Sequence, residues 1–175
     1  DVPLVFDPGD MNDEPLYLRG PYMQDRSVIP GDRPLAVFFE QGNCHACDVL
    51  HTGPMRDPEI MARFEQLENI QLSFWSDTPV VTPSGERLTA RQWGEKLGLF
   101  YTPTLIFFAN DGSEIMRVDS VVQFYRLRNV LDAVEWGDDH VYTGTAGSDS
   151  PRRVRTRWGR DRRQRRLPPR RARLA

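Results

Sequence analysis

Two cysteines, Cys44 and Cys47, are the only ones in the 175-residue chain, and two residues separate them. This spacing places both sulfur atoms within one helical turn, where a disulfide bond between them can form and break. The apolar run at residues 34–41 predicts a buried β-strand, and Gly42-Asn43 predicts the turn that follows it. We therefore predict one unit of strand, turn and helix, with the cysteine pair at the start of the first main helix.

The two cysteines are predicted to have different roles. A helix that begins near Cys44 directs unpaired backbone N–H groups and the positive end of its dipole toward that sulfur, which favours the thiolate. Cys44 is therefore the predicted nucleophile. Cys47 lies one turn further along and is predicted to attack the mixed disulfide that Cys44 forms with a substrate.

Two neighbouring side chains are candidates for modulating this chemistry. His45 lies between the cysteines, where an imidazolium would stabilise the Cys44 thiolate, although it is also interpretable as an exposed residue at a helix start. Glu40 is the nearest upstream carboxylate, and it is either a buried acid that handles protons or a solvated charge at a strand end. We expect His51 to lie on the helix surface.

Other interpretations of the cysteine pair remain open. A zinc site needs four ligands, and the only candidates besides the cysteines are three histidines: His45, His51 and His140. A copper site of Cys44, Cys47 and His51 has suitable spacing, so a metal-binding module is the alternative function. Haem attachment requires histidine directly after the second cysteine, where the chain has Asp48. A purely structural disulfide would close too small a loop to remove much unfolded-state entropy.

Charge divides the chain into two parts. Residues 151–175 hold 12 of the 23 basic residues and one of the 25 acidic ones, which leaves 11 basic and 24 acidic side chains in residues 1–150. Residues 137–175 lack apolar periodicity, so they are predicted to form a disordered, arginine-rich tail. The 12 tail arginines occur without lysine, a composition that is also typical of a GC-rich sequence translated out of frame. We therefore assign the tail no function. We expect no specific nucleic-acid partner.

The remaining chain is long enough for one globular domain. Residues 1–33 are rich in Pro, Asp and Gly and predict an irregular N-terminal arm, with at most one short edge strand. Residues 34–136 are predicted to form the domain. No apolar run reaches the length of a membrane span. The chain begins at Asp1, not at Met, which is typical of a processed product.

Local signals predict the order of elements within the domain as β-α-α-β-α-β-β-α. Three helix starts are indicated, at Asp57-Pro58, at Thr89 with Gln92 and at Ser120 with Gln123. A hairpin turn is indicated at Asn110-Asp111-Gly112. Thr102-Pro103 immediately precedes the apolar strand that begins near Leu105. A proline at the start of a buried strand requires an explanation, because it lacks the N–H that a ladder uses.

The cysteine motif after a buried strand, followed by Thr102-Pro103 before a strand pair and a closing helix, resembles the thioredoxin family over residues 34–136. Four segments are similar to the SoxW-like bacterial envelope thioredoxins: Phe38-Phe39-Glu40-Gln41, Asp57-Pro58-Glu59-Ile60, residues 83–86 and Thr102-Pro103-Thr104. The chain departs from many thioredoxins at Phe38, where those proteins carry a buried acid, and at Asn43, where they carry tryptophan.

The resemblance implies an α/β thioredoxin fold, with a central mixed β-sheet flanked by helices. It implies a protein-disulfide oxidoreductase, more often a reductant, that requires no cofactor or metal and works with protein disulfide substrates and an upstream electron-donor protein. It also implies a cis peptide bond at Thr102-Pro103, with the Thr102 backbone available to pair with substrate. We expect a monomer in the bacterial periplasm or cell envelope.

Overall fold

The strand that precedes the cysteine motif is the centre of the main β-sheet in the computed structural model, which describes residues 10–119 and 126–136. All six residues of this strand are buried. The strands and helices are, in chain order, β1 (Tyr22–Met23), β2 (Leu35–Glu40), α1 (His45–Thr52), a 3-10 turn (Pro54–Arg56), α2 (Pro58–Phe64), β3 (Glu68–Ser73), β4 (Pro79–Val81), β5 (Arg87–Thr89), α3 (Ala90–Lys96), β6 (Thr104–Phe108), β7 (Glu114–Val118) and α4 (Leu127–Trp136).

The main sheet has four strands in the order β3-β2-β6-β7. Strand β3 is parallel to β2, whereas β6 is antiparallel to β2 and β7 is antiparallel to β6. The sheet is therefore mixed, and the predicted fold class is confirmed. The hairpin turn at Asn110-Asp111-Gly112 joins β6 to β7 as predicted, with Gly112 in the left-handed region at φ +84°.

Alternation along β2 divides the core into two layers, because successive side chains in a strand point to opposite faces. Ala36 and Phe38 pack into a cluster with residues of α1, α2 and α4. Leu35, Val37 and Phe39 pack into the other cluster, together with Trp93 of α3 and strand residues. Glu40 points to the same face of β2 as Ala36 and Phe38, so it faces the layer that contains α1.

The predicted helix starts in the middle of the chain are confirmed. The Asp57 side chain accepts a hydrogen bond from the Glu59 N–H, and Pro58 occupies the first turn of α2. Thr89 and Gln92 form a reciprocal capping box at the start of α3. The predicted cap at Ser120 lies outside the described residues, as do His140 and the predicted arginine-rich tail.

The described part of the N-terminal arm joins the fold at several points. Its strand β1 pairs in parallel with β4, which pairs with β5 to form a second, three-stranded sheet. The buried Arg26 donates hydrogen bonds to the Glu68 carboxylate and to the carbonyl oxygen of Arg33. Among the helices described, none is both long and apolar enough to cross a membrane.

Candidate functional site

The two cysteines form a disulfide bond at the N-terminus of α1, with their Cα atoms 5.2 Å apart. Cys44 is the N-cap residue, and its sulfur accepts a hydrogen bond from the Cys47 N–H at 3.1 Å. Asn43, just before it, adopts φ +52°, a left-handed conformation that asparagine tolerates better than most side chains. This residue turns the chain from β2 into α1 and brings the Cys44 sulfur to the helix terminus.

The environments of the two sulfurs differ. Cys44 is 8% exposed, whereas Cys47 is 0% exposed. Both residues are buried, but only Cys44 keeps some exposed surface. His45 is exposed beside them.

The segment before β6 lies against the cysteine pair. The Cys44 sulfur is 3.7 Å from the Thr102 carbonyl oxygen and 3.8 Å from the Thr102 hydroxyl. The Thr102–Pro103 peptide bond is cis, and Pro103 is buried. The Thr104 hydroxyl donates a hydrogen bond to the Tyr101 carbonyl oxygen at 2.7 Å, which ties the two ends of this turn together. The structure thus brings Thr102 and Pro103 next to Cys44, 58 positions earlier in the chain.

Behind the disulfide, a histidine is enclosed between two carboxylates. His51 of α1 is 1% exposed, and its Nδ1 lies 2.9 Å from Oε1 of Glu14 in the N-terminal arm. Its Nε2 lies 3.0 Å from both carboxylate oxygens of Glu40, the last residue of β2. We refer to Glu14, Glu40 and His51 as the buried carboxylate–histidine cluster.

Comparison with known proteins agrees with this geometry. The sequence model of the thioredoxin-like domain family matches residues 23–135. The chain belongs to the thioredoxin family. No curated protein matches the sequence. A thioredoxin-fold protein from Helicobacter pylori superposes with a TM-score of 0.52 at 14% identity, over 65% of this chain and 78% of that one.

Two other solved thioredoxins are less similar in structure. Oxidized thioredoxin O2 from Arabidopsis thaliana is 15% identical and has a TM-score of 0.44, over 65% of this chain and 92% of that chain. Thioredoxin from Trypanosoma brucei brucei is 17% identical and has a TM-score of 0.44, over 63% and 82% of the two chains. Family membership and the cysteine disulfide together support thiol–disulfide oxidoreductase chemistry in general.

Within this thioredoxin-like domain, two further side chains, Arg56 and Gln71, donate hydrogen bonds to the cluster. Arg56 donates to both oxygens of Glu14, at 3.0 Å to Oε1 and 3.4 Å to Oε2. Gln71 of β3 donates to Glu40 Oε2 at 3.1 Å and to the Asn12 carbonyl oxygen at 2.6 Å. Arm, helix and sheet therefore share one hydrogen-bonded network.

Electrostatics in the cluster favours a charged imidazole. Burial by itself lowers the pKa of His51, but the hydrogen bonds and charges of Glu40 and Glu14 outweigh burial and raise that pKa above its usual range. Burial and the charge of Glu40 also raise the pKa of Tyr17, so its phenol stays protonated. The Tyr17 hydroxyl is buried close to the Glu40 carboxylate.

Two expectations about these side chains need correction. The prediction that His51 lies on the helix surface is wrong, because the side chain is enclosed by the arm and by β2. The interpretation of Glu40 as a solvated strand-end charge is also wrong, because the residue is 0% exposed. One sequence signal indicated that His51 is buried. His51 follows Cys47 by four residues, and this spacing places both side chains on one helix face.

The structure does not assemble the copper ligand set of Cys44, Cys47 and His51. Both ring nitrogens of His51 face carboxylates, and the two sulfurs are bonded to each other. Within residues 10–119 and 126–136, no group of three His, Cys, Asp or Glu side chains is arranged to hold a metal ion. The alternative function as a metal-binding module therefore gains no structural support from this part of the chain.

Proposed function

We propose that this protein exchanges disulfides with protein substrates, with Cys44 as the attacking thiol and Cys47 as the resolving thiol. The observation that carries this proposal is the difference between the two sulfurs at the start of α1. Cys44 keeps 8% of its surface exposed and its sulfur accepts a hydrogen bond from the Cys47 N–H, whereas Cys47 has no exposed surface. A nucleophile must reach its substrate, and a resolving thiol must reach only the nucleophile.

The reaction follows from this arrangement. In the reduced protein the Cys44 thiolate attacks one sulfur of a substrate disulfide, and the other substrate sulfur leaves as a thiolate. The Cys47 thiolate then attacks Cys44, so the Cys44–Cys47 bond forms and the bond between Cys44 and substrate breaks. Two electrons pass to the substrate, and the two protons of the dithiol end on the two substrate thiols.

The protein is proposed to stabilise the thiolate and to orient the substrate. The Cys47 N–H and the helix N-terminus provide partial positive charge at the Cys44 sulfur, and a protonated His45 would add to it. The Thr102 carbonyl oxygen, 3.7 Å from that sulfur, is placed to accept a backbone hydrogen bond from a bound peptide. Pro103 fixes this turn, and Glu40 is proposed to modulate the site from within the core.

Physiologically, we propose a reductant that works as a monomer in the bacterial periplasm or cell envelope, without a cofactor, and receives its electrons from an upstream donor protein. The similarity of residues 38–41 and 102–104 to SoxW-like envelope thioredoxins supports this finer proposal. Equilibration of the purified protein with a glutathione redox buffer shows in which direction the protein transfers electrons. A dithiol that stays oxidised where glutathione is mostly reduced supports a reductant, and one that becomes reduced there contradicts it.

Reduction of insulin disulfides by the purified protein tests the assigned roles. Cys44→Ser should abolish turnover, because no thiolate remains at the surface. Cys47→Ser should still attack but should accumulate mixed disulfides with insulin, which are detectable by mass spectrometry. Asp48→Asn, an exposed change on the same helix, serves as the control and should keep turnover. Wild-type turnover by Cys44→Ser would show that the roles are wrongly assigned.

A further inference from the structure

The first described residues of the N-terminal arm, residues 10–19, lie against α1 and β3. They precede the residues that the family model matches. The Asn12 side-chain amide donates a hydrogen bond to the Asp48 carboxylate of α1 at 2.9 Å, and the Asn12 carbonyl oxygen accepts one from Gln71 of β3 at 2.6 Å. Polar contacts therefore join this part of the arm to both a helix and the main sheet.

The centre of this contact is the buried carboxylate–histidine cluster. Glu14 is the arm's carboxylate in the cluster, and it is 3% exposed beside His51, which is 1% exposed. The Tyr17 ring packs edge-on against the rings of His51 and Phe38, whose centroids lie 6.2 and 5.1 Å away. Arg56 also pairs with Glu14, but its own side chain is 60% exposed. The arm is thus held at a buried point where charges must be balanced.

The proton on His51 decides whether the imidazole can donate to both carboxylates. Ionised carboxylates only accept hydrogen bonds, and an imidazolium has two N–H donors, one for Glu14 and one for Glu40. A neutral imidazole has a single N–H, so its other ring nitrogen would present a lone pair to a carboxylate at 2.9–3.0 Å. Glu40 cannot withdraw, because β2 is paired with β3 on one side and with β6 on the other. Glu14 belongs to the arm, so movement of the arm relieves the conflict.

We propose that residues 10–19 form a strap, which the protonated His51 holds on α1 and which leaves α1 when rising pH removes that proton. The proton passes to solvent, and Glu14 leaves with the strap, so the neutral imidazole keeps Glu40 as its acceptor. His51 lies one turn after Cys47 on the same helix face, so release of the strap uncovers the face of α1 behind the cysteine pair. This inference concerns the arm alone and does not depend on the proposed disulfide exchange.

The charged groups around His51 determine how the strap responds to pH. They are Glu14 and the neutral phenol of Tyr17 from the arm, Glu40 from β2, and Arg56, beside Glu14, from the 3-10 turn. Two carboxylates balance one imidazolium and one guanidinium, so loss of the His51 proton leaves one net negative charge in this set. Asp13 and Asp48 are also near, but both are exposed, and they pair with Arg19 and Asn12 respectively. The docked strap is therefore less stable without the proton.

The direction of the response follows from linkage between docking and proton binding. Glu40 and Glu14 together raise the pKa of His51 in the docked protein, and release of the strap removes the contribution of Glu14. The docked protein therefore binds the His51 proton more tightly than the released protein does. Between the two pKa values of His51, docking weakens as pH rises, by up to about tenfold per pH unit.

Amide hydrogen exchange of the disulfide-bonded protein measures release of the strap. The Tyr17 N–H donates to the Glu14 carbonyl oxygen, and the Leu18 N–H donates to the Asn69 carbonyl oxygen, so both amides exchange when the strap opens. Their exchange rates, divided into those of unstructured peptides at the same pH, give protection factors. We expect protection at least about tenfold lower than that of the β2 amides at each pH, because the strap opens without unfolding of the sheet. Protection of the strap should fall by about tenfold as pH rises from about 6.5 to 9.

Three variants identify the group that titrates. His51→Gln places a neutral side chain between the carboxylates, so protection of the strap should be low and constant over the same pH range. Glu14→Gln removes the charge from the strap, so it should lower protection near neutral pH and reduce its dependence on pH. His45→Gln is the matched control, because it changes an exposed histidine of the same helix and should keep the wild-type profile.

Several outcomes would overturn the inference. Equal protection of the strap and the β2 amides at every pH would show that the strap opens only when the whole domain unfolds. A wild-type profile that is flat with pH, or a folded His51→Gln protein that keeps the wild-type profile, would show that the His51 proton does not hold the strap. If His51→Gln does not fold, the wild-type and His45→Gln profiles decide, because loss of the pH dependence in His45→Gln would assign the titration to the other histidine. Each of these results leaves the proposed disulfide exchange intact, since insulin reduction tests it separately.

Discussion

Replacement of His51 by leucine should destabilise the oxidised protein by about 3 kcal/mol at neutral pH, because it removes the cation between two buried carboxylates. Loss of one partner of a buried ion pair costs roughly 3–5 kcal/mol, since it leaves the other charge buried and uncompensated. The lower end applies here because Arg56 still pairs with Glu14, and Gln71 still donates to Glu40. That loss is a large fraction of the roughly 5–15 kcal/mol by which a typical domain is stable.

The same variant should change how stability depends on pH. The pKa of His51 is raised in the folded protein, so its contribution to stability is complete below the unfolded value of about 6.5 and is lost as pH rises through the folded pKa. The wild-type free energy of unfolding should therefore fall with rising pH in the range above about 6.5. His51→Leu should lack the His51 contribution to this pH dependence.

Urea unfolding of the disulfide-bonded protein at a series of pH values measures both effects, with tryptophan fluorescence as the signal. His45→Leu is the matched control, because it removes an exposed histidine from the same helix and should change the free energy of unfolding by less than about 0.5 kcal/mol. A loss below about 1 kcal/mol for His51→Leu, or an unchanged pH dependence, would refute the view that His51 is an imidazolium enclosed by carboxylates.

Two further predictions concern the turn before the cysteines and the attachment of the arm. Asn43→Val should cost more than about 1 kcal/mol, because a β-branched side chain is strained at φ +52°, whereas Asn43→Gly should fold normally; equal melting temperatures for both variants would contradict this. Arg26→Met should cost about 2–3 kcal/mol by leaving Glu68 and two backbone carbonyls without their donor, whereas the exposed Arg19→Met should cost less than about 1 kcal/mol. Chemical unfolding of the two arginine variants side by side measures the difference, and equal losses would contradict a structural role for Arg26.

The redox motif was predictable from sequence because its determinants are local. The apolar run, the Asn43 turn and the cysteine spacing lie within about a dozen consecutive residues, and each determines the backbone of its own segment. The helix starts at Asp57 and Thr89 were predictable for the same reason, since a cap and its partner lie within one turn. The strand order could be predicted only through resemblance to a family, because pairing between distant strands leaves no local signal.

The sequence did not predict that Glu14 of the N-terminal arm contacts His51. Glu14 lies 37 residues earlier, in a segment rich in proline and aspartate that shows no periodicity. The arm was predicted to be irregular, and most of its described residues are; what binds it to the domain is a set of individual polar contacts by Asn12, Glu14 and Arg26. Such contacts depend on tertiary structure, and hydrophobic patterning does not report them.

A buried cluster of charges is weak support for stability by itself, because apolar residues of similar volume in its place are often as stabilising or more so. The surroundings of His51 would suit such a replacement, since Leu50 and Phe38 nearby are already fully buried. The large loss of stability expected from His51→Leu does not contradict this. That variant leaves two buried carboxylates without the imidazolium, whereas the comparison concerns replacement of the whole cluster. Stability therefore does not explain why the chain places two carboxylates and a histidine behind a reactive disulfide. The arm contributes no residue to the cysteine motif, yet it supplies Glu14 to this cluster.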